Sequence, residues 1–423
     1  MTRQLLSDLQ WRGSIAQTTD RSDLEKFLEG GSESLYLGID PTAPSIHLGN
    51  LVAIVVLRRF QLAGHKPIAL VGGATGLVGD PSGRNSERTL NEESLVANWV
   101  ERIRGQLEGL LDFNGKSAAT LVNNLDWTAP VSALAFLRDI GKHFSVNQML
   151  AKESVSARLE AGGISYTEFS YQVLQAYDFL ELNRRNNCGL QIGGSDQWGN
   201  IVAGVDLIRR VSGKTAHALT IPLMTKADGE KFGKTAAGAI WLDPKMTSPY
   251  AFFQFFLNSD DRDVERLLKA FSFKGHEELD SLFDSLKSNP GAREAHRELA
   301  REVTTLVHGE SECRKAENAA KALFGQSEIA ELDLSTLESA MLELPKTEIA
   351  KSTQLPTWVD LITATGVVES KSAARRIIKE GGAYLNNKKI SSEDFAPSPE
   401  DLLHGRYLLL RKGKRDLAAV ILK

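Results

Sequence analysis

The first 240 or so residues alternate short apolar runs with helix-length segments, and the runs give way to clusters of glycine and polar residues. Ser34-Leu-Tyr-Leu-Gly-Ile-Asp40, Lys66-Pro-Ile-Ala-Leu-Val-Gly72, Ala118 to Asn123 and Gly189 to Ile192 have the length and composition of buried strands. Helices are expected between them: His47 to Ala63, stopped by Gly64, then Thr89 to Leu111, opened by a capping box of Thr89 with Glu92. Two more are expected over residues 131–150 and 167–183. Strands separated by helices require crossover connections, hence a parallel sheet covered on both faces. In such sheets the ligand crevice lies beyond the carboxyl ends of the strands. The topology therefore brings the polar clusters that follow the strands together.

The pattern changes at Thr247. Pro249-Tyr-Ala-Phe-Phe-Gln-Phe-Phe-Leu257 is aromatic-dense, and charged amphipathic segments follow to about residue 330. The expected organisation is a Rossmann-like α/β domain over 1–246, an all-helical domain over 247–340, a Pro-containing linker over 341–354 and a small α+β domain over 355–423. A chain of 423 residues has room for these, given roughly 100–200 residues per domain. The overall charge of −4 conceals an asymmetry: residues 355–423 hold twelve Lys+Arg against eight Asp+Glu, a net +4. The preceding 354 residues hold 38 against 46, a net −8. A basic tail on an acidic body suits a nucleic-acid grip at one end.

Cys188 and Cys313 match no zinc or disulfide spacing. The first residues lack the apolar core of a signal peptide, and the aliphatic run Leu51 to Leu57 is too short to span a membrane. No membrane partner and a cytoplasmic location are the expectations.

Four polar clusters carry candidate chemistry. The first runs from Asp40-Pro-Thr42 to His47-Leu-Gly49-Asn50 at a helix start, where unpaired N–H groups and the positive dipole end favour phosphate. The second, Gly72-Gly-Ala-Thr-Gly76-Leu-Val-Gly79-Asp80, has G-x-x-G-x-x-G spacing, unlike the dinucleotide fingerprint G-x-G-x-x-G. Its glycines suit a tight turn and close packing, while Asp80 is a partner for a ligand ammonium. Arg84 and Arg88 follow on a polar segment. The third sets Tyr171, Gln175 and Asp178 at i, i+4 and i+7, in one helical stripe whose direction, inward or to solvent, stays open. Gln191, Asp196 and Gln197 then close the next strand. The fourth, Lys226-Ala-Asp-Gly-Glu-Lys231-Phe-Gly-Lys234-Thr235, is one residue short of P-loop spacing between Gly229 and Gly233. It remains a cationic loop suited to a polyphosphate or to a solvated hairpin tip.

Taken in order, these residues resemble a bacterial-type tyrosyl-tRNA synthetase of class I, over essentially the whole chain. His47-Leu-Gly-Asn50 looks like the class I HIGH motif and Lys231-Phe-Gly-Lys-Thr235 like its KMSKS loop. The resemblance implies tyrosine ligands at Tyr36, Asp80, Tyr171, Gln175, Asp178, Gln191 and Gln197, with Tyr36 and Asp178 on the phenol. It implies ATP ligands at Asp40, Gly49, Asn50, Asp196, Lys231 and Lys234. Catalytic groups would be Thr42, His47, Lys231, Lys234 and Thr235, with Arg84 and Arg88 adding cations. Mg²⁺ would arrive with ATP as substrate, and no protein-bound metal is expected. The tail, with Ser372-Ala-Ala-Arg-Arg376 and Gly381-Gly-Ala-Tyr-Leu-Asn-Asn387, resembles a small RNA-binding domain, so Lys371, Arg375, Arg376, Lys388 and Lys389 would touch tRNA(Tyr). Family members are homodimers, and the aromatic stretches would suit an interface. Two positions depart from the family pattern: Asn50 ends the HIGH-like motif, and Leu37 stands where a small polar residue is common.

Three other readings compete. A small adenylyltransferase shares an HxGH-like helix start but needs neither the helical domain nor a basic tail. An RNA-binding protein on a decayed scaffold would not keep every charged group of the site. A tryptophanyl-tRNA synthetase would lack the tail, and an indole gives Asp178 no phenol.

Overall fold

The computed structural model describes residues 2–82, 90–161, 163–235, 238–352 and 354–423. The chain forms two compact units, Met1–Met246 with Asp260–Asp284, and Thr247–Ser259 with Ser285–Lys423.

The first unit opens with α1 (Thr2–Trp11), β1 (Gln17–Thr18), α2 (Arg21–Glu29) and β2 (Ser34–Ile39). It continues through α3 (Leu48–Leu62), β3 (Lys66–Val71), α4 (Glu93–Leu110) and β4 (Thr120–Asn123). After α5 (Tyr166–Asn186) come β5 (Cys188–Gly194), α6 (Trp198–Ser212) and β6 (His217–Ile221). The six strands form one sheet in the order β1-β6-β5-β2-β3-β4. All neighbours are parallel except β1 and β6. The chain winds outward from β2 through β3 to β4, then returns to β5 beside β2 and winds the other way. The order reverses between β2 and β5, and the carboxyl ends of these two strands flank the crevice such sheets use for ligands. Asp40 follows β2 directly, and Asp196 lies two residues past β5.

α3 is buried around most of its circumference, from Leu48 and Leu51 to Phe60, so its sequence reads as nearly uniform apolar residues. The expected strands are present with ends shifted by one to two residues. β6 was not legible as a strand: all five residues, His217-Ala-Leu-Thr-Ile221, are buried, so no polar alternation marks it. The helix expected from Thr89 begins instead at Glu93, with Glu92 at the cap in extended conformation; Thr89 lies outside the described residues. The helix expected over 131–150 is broken into a turn at Ala133–Ala135, a π-helical segment Phe136–Ile140, a 3₁₀ turn Gly141–His143 and a short helix Val146–Leu150. Extended Ser145 separates the last two.

Past β6 the chain makes a small ribbon, β7 (Lys234–Thr235) against β8 (Gly238–Ala239). It leaves the unit for α7 (Pro249–Leu257) and returns for α8 (Asp261–Phe271) and the start of α9 (His276–Ser288).

The second unit packs α7 against α10 (Glu294–Leu323). Ser248 accepts from Ala251 N–H (3.1 Å) and Pro249 takes the first helical position, where its missing N–H costs nothing. Tyr250, Phe252, Phe253 and Phe256 are buried, so most of the aromatic stretch is core of this unit. α11 (Leu334–Leu342) leads to β9 (Lys346–Ile349), inside the segment expected as a linker. Lys-Thr-Glu-Ile carries no apolar run, but β13 (Asp416–Leu422) recruits it as a parallel edge strand. With β10 (Ala383–Leu385), β11 (Lys388–Lys389) and β12 (Tyr407–Lys412) the sheet runs β11-β10-β12-β13-β9. Asn386 and Asn387 both have positive φ, 45° and 65°, as a two-residue hairpin turn between β10 and β11 demands. α12 (Trp358–Ala364) and α13 (Lys371–Lys379) close one core around Trp358, Leu408 and Val420.

Candidate active site

The crevice beyond β2 and β5 collects the polar clusters. Asp40 is fixed by two donors: Thr75 Oγ1 donates to its Oδ1 (2.7 Å) and the Tyr171 hydroxyl to its Oδ2 (2.7 Å). Gly72 makes this possible, since a Cβ there would stand 2.1 Å from Asp40 Oδ1 and 2.3 Å from Thr75 Oγ1. The glycines after β3 thus serve close packing. Asp80 accepts from Gln197 Nε2 (2.6 Å) and from Ser82 N–H (2.9 Å). The Tyr171-Gln175-Asp178 stripe of α5 therefore faces inward, with Tyr171 on Asp40 and Asp178 buried.

Asp178 is held by two residues the sequence did not single out. Trp127 Nε1 donates to its Oδ1 (2.8 Å) and Asn124 Nδ2 to its Oδ2 (2.9 Å). Asn124 also donates to Thr75 Oγ1 (2.9 Å) and accepts from Ala74 N–H (2.7 Å), tying the segment after β4 to the turn after β3. Burial pushes the Asp178 carboxyl up to about 7 against these donors, with Asp40 and Glu181 adding repulsion. Burial and the Asp178 charge also hold the Tyr36 phenol well above its usual range. The Tyr36 hydroxyl, Gln175 Oε1 and Gln191 Oε1 are buried and have no hydrogen-bond partner among the described residues. Such orphaned groups are costly in a folded protein and mark a place for a polar ligand.

The loop that follows β6 meets the start of α3. Leu48 N–H donates to Ile240 C=O (2.9 Å), and His47 bridges Trp241 in antiparallel fashion. Gly233, at φ +80°, packs on Leu48: a Cβ there would lie 3.1 Å from Leu48 Cβ. The two motif-like stretches, His47–Asn50 and Lys231–Thr235, are thus in contact. Burial and the nearby Lys234 ammonium hold the His47 imidazole below its usual range. Burial and Asp80 raise the Asp196 carboxyl, with Lys231 opposing. Lys231 and Lys234 are exposed; Thr42 is exposed and Asn50 half-buried on the same rim. Gly49 gives the His47 ring room, since a Cβ there would meet its Cε1 at 2.9 Å. Leu37 is buried. Thr235 lies in β7 but its side chain, like Arg84 and Arg88, falls outside the described residues.

Among the described residues no group of three or more His, Cys, Asp or Glu is arranged to hold a metal ion, and no helix is long and apolar enough to cross a membrane. Both cysteines are free and buried.

In the second unit, Lys371, Arg375 and Arg376 lie on α13, each facing a carboxylate: Asp360 (2.6 Å), Glu393 (3.6 Å) and Glu380 (3.6 Å). Lys388 and Lys389 are exposed on β11. A basic cavity of about 690 Å³, unmarked by any sequence motif, is lined by Arg293, Arg411, Lys414 and Arg415 with Asn258, Phe324 and Gln326. The Arg411 guanidinium stacks 3.8 Å from the Tyr384 ring centroid.

A family model of class I tRNA synthetases (W and Y) matches residues 29–325, and one of the tyrosine–tRNA ligase SYY-like C-terminal domain matches 336–420. A tyrosine–tRNA ligase of Streptomyces avermitilis is 58% identical over 418 residues, 98% of each chain. The chain belongs to the class I tyrosyl-tRNA synthetases. A tyrosine–tRNA ligase of Streptomyces coelicolor is 57% identical over 98% of each chain. Among solved structures, a C-terminally truncated mitochondrial tyrosyl-tRNA synthetase of Aspergillus nidulans is similar with TM-score 0.70 and 32% identity, over 76% of this chain and 94% of its own. The fold of this synthetase is accordingly the Rossmann-like parallel sheet of class I enzymes with a C-terminal sheet domain. The residues that sequence reasoning missed, Trp127 and Asn124, sit in a segment with no motif. Their signal is the burial of an acid that needs N–H donors.

Proposed function

We propose that this synthetase activates tyrosine with ATP and transfers the tyrosyl group to the 3′ end of tRNA(Tyr). The observation that carries the reading is three buried polar atoms without a partner among the described residues: the Tyr36 hydroxyl, close to the Asp178 carboxyl, with Gln175 Oε1 and Gln191 Oε1. A phenol satisfies Tyr36 and Asp178, and an ammonium suits Asp80 with Tyr171 and Gln175. Buried polar groups left unpaired reject an analogue that lacks the hydroxyl, a rule for which tyrosyl-tRNA synthetases are themselves a standard instance.

ATP lies with its ribose towards Asp196 and its phosphates over the start of α3, near Thr42, His47, Gly49 and Asn50. A tyrosine carboxylate oxygen attacks the α-phosphorus in line, the bond to the bridging oxygen breaks, and pyrophosphate leaves with the growing charge. Lys231 and Lys234, with Thr235, stabilise that charge, and His47 donates a hydrogen bond. Catalysis is positioning and electrostatics, with no protein nucleophile. Mg²⁺ comes with ATP and neutralises phosphate charge. In the second step a ribose hydroxyl of the tRNA end attacks the tyrosyl carbonyl and AMP leaves.

The second unit grips the tRNA through its basic residues, Lys371, Arg375, Arg376, Lys388 and Lys389, together with the cavity around Arg411. Homodimerisation in the cytoplasm completes the proposal. It is supported by exposed apolar side chains on one stretch of chain: Leu134 (82% exposed), Leu137, Val146 and Tyr166 (72%). Pyrophosphate exchange assayed with tyrosine, tryptophan and phenylalanine tests the activity. Exchange with tyrosine alone is expected, and its absence refutes the reading. Light scattering tests the dimer.

A further inference from the structure

The loop that carries Lys231 is a small hairpin, and Lys234 follows it directly in β7. Lys226 N–H donates to Glu230 C=O (2.7 Å), Gly229 N–H to Lys226 C=O (2.9 Å), and Thr225 bridges Lys231. A short charged hairpin of this kind does not hold its own position, because two strands alone are marginally stable in water. Its base is tied to the start of α3 through Leu48 and His47. Its other tie is to α8. Asp263, only 7% exposed, accepts from Ala227 N–H on Oδ2 (3.0 Å) and from Arg266 Nη2 on Oδ1 (2.8 Å). Arg266 in turn donates to Thr225 C=O. Phe232, beside Lys231, has its ring centroid 6.0 Å from that of Phe271, at the end of the same helix.

α8 is itself anchored from behind. Arg12 donates to the carbonyls of Lys269 (3.2 Å), Ser272 (3.0 Å) and Lys274 (2.7 Å), and Arg59 of α3 also donates to Ser272 C=O. His276 Nε2 hydrogen-bonds Asp8 (2.8 Å). The far end of α3 thus holds α8, and α8 holds the hairpin that closes over the near end of α3. Both oxygens of Asp263 serve this linkage, one the hairpin backbone and the other the arginine that reaches it.

We infer that Asp263 and Arg266 are positioning residues for catalysis, acting through Lys231 and Lys234 by fixing the hairpin over the triphosphate. The inference rests on the roles proposed above for those two lysines. It assigns to a helix remote from the tyrosine pocket a part in the activation step, with none in tyrosine binding.

The test uses the full chain and compares Asp263→Asn, Arg266→Gln and Arg266→Lys in pyrophosphate exchange. Removing one partner of a charged hydrogen bond is expected to lower kcat by roughly tenfold or more while the tyrosine KM stays within about twofold. Arg266→Lys, which keeps the charge, restores part of the loss. In a chain already carrying Lys231→Ala and Lys234→Ala, Asp263→Asn costs nothing further, since the groups it positions are gone. A merely structural role would lower the melting temperature without this split and would multiply with the lysine changes; either result overturns the inference. If the lysine changes themselves leave the rate intact, the reading of the site falls and the inference with it. If they cost rate and Asp263→Asn does not, the inference alone falls.

Discussion

Replacing Asp178 by Asn separates what the carboxylate costs the fold from what it gives the ligand. The carboxyl is buried and stands at about 7 against an ordinary 3.8. At about 1.36 kcal/mol per pH unit, ionising it in place costs the fold about 4 kcal/mol. Because the folded value is raised, the native protein binds more protons than the unfolded chain between these two values. Stability therefore falls as pH rises through that window and is level above it. Asp178→Asn removes the charge but turns an amide N–H₂ towards Trp127 Nε1 or Asn124 Nδ2, a clash of donors that costs about 1–3 kcal/mol. The variant without ligand is expected to be about 1–3 kcal/mol more stable than the wild type at pH 8 in urea unfolding. Its tyrosine affinity, measured by equilibrium binding, falls roughly 10- to 100-fold with the charged acceptor gone. The wild type binds tyrosine about tenfold more weakly at pH 6 than at pH 8, because only the ionised fraction is competent, and the variant loses that dependence. A wild-type affinity flat over this range, or a variant destabilised by more than about 2 kcal/mol at pH 8, refutes the reasoning.

Tyr36→Phe deletes a buried hydroxyl that has no protein partner, so unfolding of the ligand-free chain is expected to be unchanged or slightly harder. The same change weakens tyrosine binding by roughly threefold to tenfold. Gly72→Ala places a methyl 2.1 Å from Asp40 Oδ1; displacing Asp40 breaks its bond to Tyr171, and calorimetry with tyrosine should show binding lost together with about 1–3 kcal/mol of stability. Arg411→Ala combined with Lys414→Ala in the basic cavity should leave pyrophosphate exchange intact, weaken tRNA binding, and lower the slope of log affinity against log salt by about 1–2.

The parallel sheet and the place of its crevice were legible because fully buried strands read as apolar runs and because crossovers have one hand. Asp40, His47 and Asp196 could be picked out for the same reason: each stands just past a strand or at a helix start, where topology alone dictates convergence. The elements that failed to show are those whose form is set by neighbours. β9 has no apolar pattern of its own and is a strand because β13 offers an open edge. The 131–150 segment has helical composition, yet extended Phe144 and Ser145 split it into short pieces.

The sequence by itself determined the class of the fold, the order of the polar clusters, and the split between an acidic body and a basic tail. These follow from local propensity, apolar spacing and charge, which need no partner to be read. Only the tertiary structure decided which way the Tyr171-Gln175-Asp178 stripe faces. The outcome turns on Trp127 and Asn124, 51 and 54 residues away from Asp178, whose N–H donors make burial of that carboxylate bearable. It also decided that Gly233 must sit on Leu48 and that Asp263 must hold the lysine hairpin, since hydrogen bonds between distant segments leave no periodic trace in a chain.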